Sequence, residues 1–215
     1  MNPLLSVLLS ALISSLFVLS LYVWEVPRIL RGAPPANRDD PRVVCQRITS
    51  VLGSCVASAA IVAAVAKFGL LDDTHAPLPS VPRLLSLQPD HLAPLSEEFV
   101  FRAALCPLLL AGGFSVTSTI FICPLFFSLA HGHHIWNLMH YHRCSLPQAL
   151  AMVGFQMAFT WVFGCLAAFT VLRTGSLWAS VAAHAFCNAM GVPDFQGALT
   201  HRHRYGESIE AAQVG

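Results

Sequence analysis

Between residues 74 and 193 the sequence offers only three carboxylates: Asp90, Glu97 and Glu98. Asp90 lies in a polar, proline-rich stretch, so acid–base chemistry in the apolar part of the chain must use the adjacent glutamates. An ionisable side chain at membrane depth is costly enough to suggest function. Glu98 and Arg102 are spaced i, i+4 with the glutamate first, the favoured order for an ion pair on a helix. That pairing accounts for Glu98 and leaves Glu97 unmatched, because neighbouring residues on a helix point about 100° apart. A charged carboxylate without a local cation needs another partner, such as a histidine or a bound water. The run PLFFSLAHGHHIWN puts His131 at the end of an apolar segment, with His133 and His134 behind it, and His140 and His142 follow. Far downstream, SVAAHAFCNAM carries His184 and Asn188 at i, i+4. That spacing brings an imidazole and a carboxamide to one helix face, and both can donate to one oxygen atom.

A carboxylate and a histidine can polarise water as a general base, and a histidine with an amide donor can stabilise a developing oxyanion. Together they suit a peptide hydrolase with no covalent nucleophile. A zinc-dependent version of the same Glu/His set stays open, although the H-E-x-x-H signature is absent. His131, His133 and His134 are too close in sequence to point one way on one helix. A serine mechanism lacks the G-x-S-x-G elbow. A cysteine mechanism would use Cys106 or Cys187, both in apolar surroundings that leave a thiol inert. The seven cysteines are scattered, odd in number and contain no C-x-x-C, which argues against a disulfide framework or a zinc ribbon.

The elements that must position these residues are hydrophobic. The 215-residue chain is 55% hydrophobic and 11% charged, with mean hydropathy +0.63. Soluble domains carry about a quarter charged residues, so the class implied is an all-α, polytopic integral membrane protein. A net charge of +1 gives no basic field for nucleic acid. Free of Asp, Glu, Lys and Arg are the stretches 1–24, 48–66, 103–130, 144–172 and 174–193. A spanning helix takes about 20 apolar residues. The stretch 103–130 holds Pro107, Gly112-Gly113 and Pro124, and reads as two helical pieces meeting at the glycines, one starting near Ser96 and one ending near His131. Five or six hydrophobic helices follow, with the site in the bundle core.

The first stretch lacks a basic n-region and a small-x-small cleavage site, so it reads as an uncleaved helix. Arg28, Arg31, Arg38, Arg42 and Arg47 mark the Pro27–Arg47 segment as a cytosolic loop by the positive-inside rule, with the N-terminus opposite. The domain reading is N-terminal helices and Arg-rich loop over 1–71, a polar connecting loop over 72–96 with a short interfacial helix near Arg83–Leu87, a catalytic core over 97–193 and a polar tail over 194–215.

Three motifs in order carry a resemblance: Glu97-Glu98-Phe-Val-Phe-Arg102, Phe127-Ser-Leu-Ala-His131 and His184-Ala-Phe-Cys-Asn188. They resemble the E-E-x-x-x-R, F-x-x-x-H and H-x-x-x-N motifs of the type II CAAX prenyl endopeptidases, in their eukaryotic branch. The likeness runs from about Pro94 to Pro193, more weakly over 15–55. It implies that Glu97 activates water with help from His131, that His184 and Asn188 stabilise the oxyanion, and that Glu98 and Arg102 form a structural ion pair, with no metal and no cofactor. It also implies an endoplasmic reticulum membrane protein whose substrates are prenylated CAAX proteins such as Ras-like small GTPases, cut after the lipidated cysteine. The polar 72–96 segment and the polar tail stand where the family commonly has hydrophobic sequence, so the chain is expected to be a shortened form. Two rival readings are a non-catalytic variant that binds prenylated tails or a partner, and a transporter relaying protons through the Glu/His set. No inverted repeat encourages the second.

Overall fold

The computed structural model describes residues 1–32, 40–69 and 89–190, and all described regular structure is helical. In chain order the elements are α1 (Pro3–Tyr22), α2 (Val26–Leu30), α3 (Pro41–Lys67), α4 (Pro89–Glu98), a π-helical turn (Phe99–Ala104), α5 (Leu105–Ala111), α6 (Val116–Ala130), a 3₁₀ turn (His131–His133), α7 (His134–His140), α8 (Leu146–Thr174) and α9 (Leu177–Met190). Among the described residues, four helical stretches are long and apolar enough to cross a membrane: Pro3–Tyr22, Pro41–Lys67, Val116–His140 and Leu146–Thr174.

Local chemistry sets the helix starts. Asn2 caps α1 by accepting from the Leu4 amide, and Asp40 caps α3 by accepting from the Arg42 amide, each with proline at the first helical position. Proline there loses no bond that the helix would have made. Ser145 and Gln148 form a capping box at the start of α8, and Gly175 ends that helix in the left-handed region at φ 65°.

On α1 and α3 the burial pattern is inverted relative to a soluble protein. On α1 the buried face is Ser6, Ser10, Ile13, Ser14 and Phe17, while Leu4, Leu8, Leu12 and Leu19 are exposed. On α3, Ser54 and Ser58 are buried and Val56 is 70% exposed. Helices in lipid gain nothing by hiding leucine from its own kind, so small residues take the contacts and let backbones approach. Some of the buried hydroxyls are satisfied within their helices, Ser14 donating to the Ser10 carbonyl and Ser58 to that of Ser54, whereas the Ser10 hydroxyl has no hydrogen-bond partner among the described residues. α1 packs against α3, α5 and α6, α6 against α8, and α9 against α4 and α8.

The apolar stretch 103–130 divides at the glycine pair, with α5 ending at Ala111, α6 beginning at Val116 and Gly113 turning the chain at φ 87°. Three boundaries differ from the sequence reading. Residues 89–96, read as loop, are already helical, although Pro94 lies inside the helix and removes one of its backbone donors. Arg42 and Arg47 belong to α3 rather than to a loop. Within the described part of the 174–193 stretch the helix has 14 residues, about 21 Å at 1.5 Å per residue, against the roughly 30 Å apolar core of a bilayer. The expected interfacial helix near Arg83–Leu87 and the tail over 194–215 lie outside the described residues.

Candidate active site

Two consecutive glutamates end α4, and their neighbours treat them differently. Glu98 is fully buried, whereas the Glu97 side chain keeps 27% of its surface exposed. The helix then widens into the π-helical turn Phe99–Ala104. Pro107 follows in α5, and its ring opposes the carbonyl of Ala103, four residues back and inside the widened turn. Such turns occur at functional sites more often than elsewhere.

Arg102 Nη1 stands 3.2 Å from Glu98 Oε1, with both side chains fully buried. This contact is an ion pair without a hydrogen bond, and among the described residues none of the guanidinium nitrogens has one. Aromatic faces supply what hydrogen bonds do not. The guanidinium carbon lies 4.4 Å from the centroid of the Phe127 ring and 5.9 Å from that of Phe163. A desolvated cation over an aromatic ring gains about 2 kcal/mol. Gly164 makes the room: a Cβ there would lie 2.7 Å from Pro124 Cβ and 3.1 Å from Arg102 Nη2.

His184 joins the two glutamates. Its Nδ1 lies 2.8 Å from Glu98 Oε1, and its Nε2 lies 3.5 Å from Glu97 Oε2. An ionised carboxylate only accepts, so Nδ1 carries hydrogen and Nε2 faces Glu97. Glu98 also accepts a hydrogen bond from Ser180 Oγ, one turn before His184 on α9. The sequence reading of Glu98 as a partner for Arg102 alone is therefore too narrow, because Glu98 also orients the imidazole. Ser180 was missed. The signal lay in its i−4 spacing from His184, which puts residues 180, 184 and 188 on one helix face.

His131 sits in the 3₁₀ turn after α6, with Nδ1 2.9 Å from the Phe127 carbonyl. A carbonyl accepts, so Nδ1 bears the hydrogen and the neutral ring presents Nε2 as a base. Phe127 is the common neighbour of the site, with its centroid 5.0 Å from the His131 ring and 5.8 Å from the His184 ring.

Two cavities share Phe127 and His131 as walls. The larger, about 930 Å³, contains Glu97 and Phe101 and extends to Glu25, Gly32, Arg47 and Arg143. The smaller, about 250 Å³, contains His184 and Asn188 along with Phe159 and Phe163. Glu97, Glu98, Arg102 and His184 thus form one chain of contacts, His131 faces both cavities, and exposed Asn188 shares the smaller one with His184. Neither Glu98 nor Arg102 lines either cavity. Among the described residues, no three His, Cys, Asp or Glu side chains group so as to hold a metal ion.

Comparison with known proteins gives this constellation a family. Residues 84–190 match the family model described as "Type II CAAX prenyl endopeptidase Rce1-like". The chain is 46% identical over 102 residues to "CAAX prenyl protease 2" of Arabidopsis thaliana, covering 47% of this chain and 33% of that protein. It is 42% identical over 113 residues to the Homo sapiens protein of the same description, covering 53% and 34% respectively. The chain thus spans about a third of the length of these two relatives. A "Probable CAAX prenyl protease 2" of Schizosaccharomyces pombe aligns far more fully, 31% identical over 233 positions that cover 92% of this chain and 84% of the relative. No solved structure gives a significant match. With the E-E-x-x-x-R, F-x-x-x-H and H-x-x-x-N residues converging as they do, and a relative matched over most of both lengths, the chain belongs to the type II CAAX prenyl endopeptidase family.

Proposed function

We propose that the chain is a membrane-embedded endopeptidase that removes the C-terminal a-a-X tripeptide from prenylated CAAX proteins, Ras-like small GTPases among them, at the endoplasmic reticulum membrane. The observation that carries this reading is the sorting of the two glutamates. Glu98 is buried and committed to Arg102, Ser180 and His184, while Glu97 is partly exposed in a cavity that it shares with His131.

In the proposed reaction Glu97 takes a proton from water, with His131 Nε2 orienting that water, and the hydroxide adds to the scissile carbonyl carbon. The carbonyl oxygen becomes an oxyanion, which His184 Nε2–H and the Asn188 carboxamide stabilise from the other side of Phe127 and His131. Collapse expels the amine of the tripeptide, and the proton held at Glu97 goes to that leaving nitrogen. Water is consumed, with its hydroxyl retained on the prenylcysteine carboxyl and its hydrogen on the released peptide. The placement supports this division, since Glu97 lies in one cavity and the His184–Asn188 pair in the other. A preorganised base and preorganised donors on opposite sides of a carbonyl are what hydrolysis without a covalent intermediate requires.

The test is release of a-a-X from a farnesylated CAAX peptide by membranes holding wild type or Glu97→Ala at matched protein levels. Wild type releases the tripeptide and Glu97→Ala does not. Full activity in Glu97→Ala overturns the assignment of the base. No release by wild type, with the peptide still bound, establishes the non-catalytic variant instead.

A further inference from the structure

The larger cavity runs well beyond the residues used in hydrolysis. His131, His134, Asn137, His140 and Tyr141 all line it, at three- and four-residue spacing. That spacing is one helix face, so the cavity follows the length of α7. Its inner end is apolar and buried, with Phe101 and Phe127 beside Glu97. Its outer end carries Arg47, Arg143, His140 and His142, and the last three are exposed. Arg143 is the only non-glycine residue among those described with a positive φ, at 56°. A branched-free but full side chain held in the left-handed region is strained, and such residues concentrate at ligand clamps.

Building on the proposed function, we infer that this basic rim, centred on Arg143 with Arg47 beside it, binds the free C-terminal carboxylate of the substrate peptide and so fixes the cut three residues from the chain end. The lengths agree. From His131 to His140 the helical path advances about 14 Å, and three extended residues span about 10 Å, with the arginine side chain closing the remainder. A peptide whose scissile bond lies at Glu97 and His131 therefore brings its terminus within reach of the rim, with its apolar side chains against the inner wall. Arginine suits a carboxylate through its planar fork of donors. Among the described residues lining that rim Glu25 is the one carboxylate, and it opposes an incoming anion.

The experiment uses the full chain in phosphatidylcholine nanodiscs and a fluorescent farnesylated CAAX peptide made as the free acid and as the C-terminal amide. Binding and tripeptide release are both measured. The acid binds about tenfold more tightly than the amide, an amount typical of one charge-assisted contact. Arg143→Gln removes that preference by weakening the acid about tenfold while leaving the amide unchanged, Arg143→Lys restores part of it, and Glu25→Gln tightens the acid. Equal binding of acid and amide by wild type, or equal weakening of both by Arg143→Gln, overturns the carboxylate site and assigns the rim to lipid headgroups. Acid preference without release sinks the hydrolytic reading and leaves the site standing. Release without acid preference does the reverse.

Discussion

His184 and Glu98 meet through Nδ1 and Oε1 at 2.8 Å, across 86 residues of chain, and this contact aims the opposite ring nitrogen at Glu97. A carboxylate behind an imidazole fixes its tautomer and its orientation together, as in carboxylate–histidine pairs generally. Glu98 is consequently both the buried partner of Arg102 and the support of the residue that faces Glu97.

That double role separates stability from activity. Arg102→Met alone leaves a buried carboxylate uncompensated, and Glu98→Leu alone strands a buried guanidinium. Each is expected to destabilise by about 3–5 kcal/mol. The double variant regains most of that loss yet stays inactive, because His184 has lost its support. Thermal unfolding in detergent alongside tripeptide release checks this. A double variant that recovers both quantities refutes the supporting role of Glu98.

Ser180 is expected to act as a positioning residue through Glu98. Removing one donor to a buried carboxylate costs about 1.5–3 kcal/mol. Ser180→Ala should therefore lower kcat roughly tenfold or more, with KM nearly unchanged, and Ser180→Thr should restore it. A fall in KM and kcat together, without rescue by threonine, would indicate a packing defect instead.

Asn188→Ala is expected to lower kcat by about 10²–10³, the usual cost of one oxyanion donor. Substrate binding should hold, since the carboxamide acts on charge that develops during the reaction. Single-turnover kinetics on the farnesylated peptide decides it. Unchanged chemistry would remove Asn188 from the proposed oxyanion site.

Gly164→Ala is expected to destabilise by about 1–3 kcal/mol, because the added methyl meets Pro124 and the Arg102 guanidinium. Gly154 lies on the same helix with open space around it, and Gly154→Ala is the control. Equal unfolding temperatures for the two variants would contradict the close packing of α8 on α6.

Excess chelator is expected to leave tripeptide release intact if Glu97 and His131 activate water directly. Strong inhibition that added zinc reverses would replace this scheme with a metal-bound water.

Much of the site is legible in the sequence because charge is scarce there. In a segment with two adjacent glutamates before an apolar run, one i, i+4 arginine accounts for one and exposes the other. His184 and Asn188 stand out for the same reason, as polar side chains on an apolar helix. Ser180 does not, because serine is common on these helices and α1 and α3 bury several that serve only packing. The contact between His184 and Glu98 was hidden for another reason. Periodicity reports which residues share a face but not which faces meet. The spans were readable from uncharged length, yet α4, the π-helical turn and α5 together form one irregular element that no hydropathy window separates. Arg47 and Arg143 read as ordinary flanking charges, since only the fold brings the start of α3 and the end of α7 to one cavity.

The larger cavity also orients the chemistry. Glu97 lines it together with Gly32 and Arg47, which both belong to the arginine-rich Pro27–Arg47 segment. By the positive-inside rule these arginines would stay on the cytosolic side, and under the proposed function the mouth of the cavity would open there. For a tail tethered to a folded domain, everything except the lipid can remain on the side where it was synthesised. If the proposed function holds, neither the domain nor the liberated peptide would have to cross the bilayer, and the membrane would serve as an anchor for the reaction rather than a barrier to it.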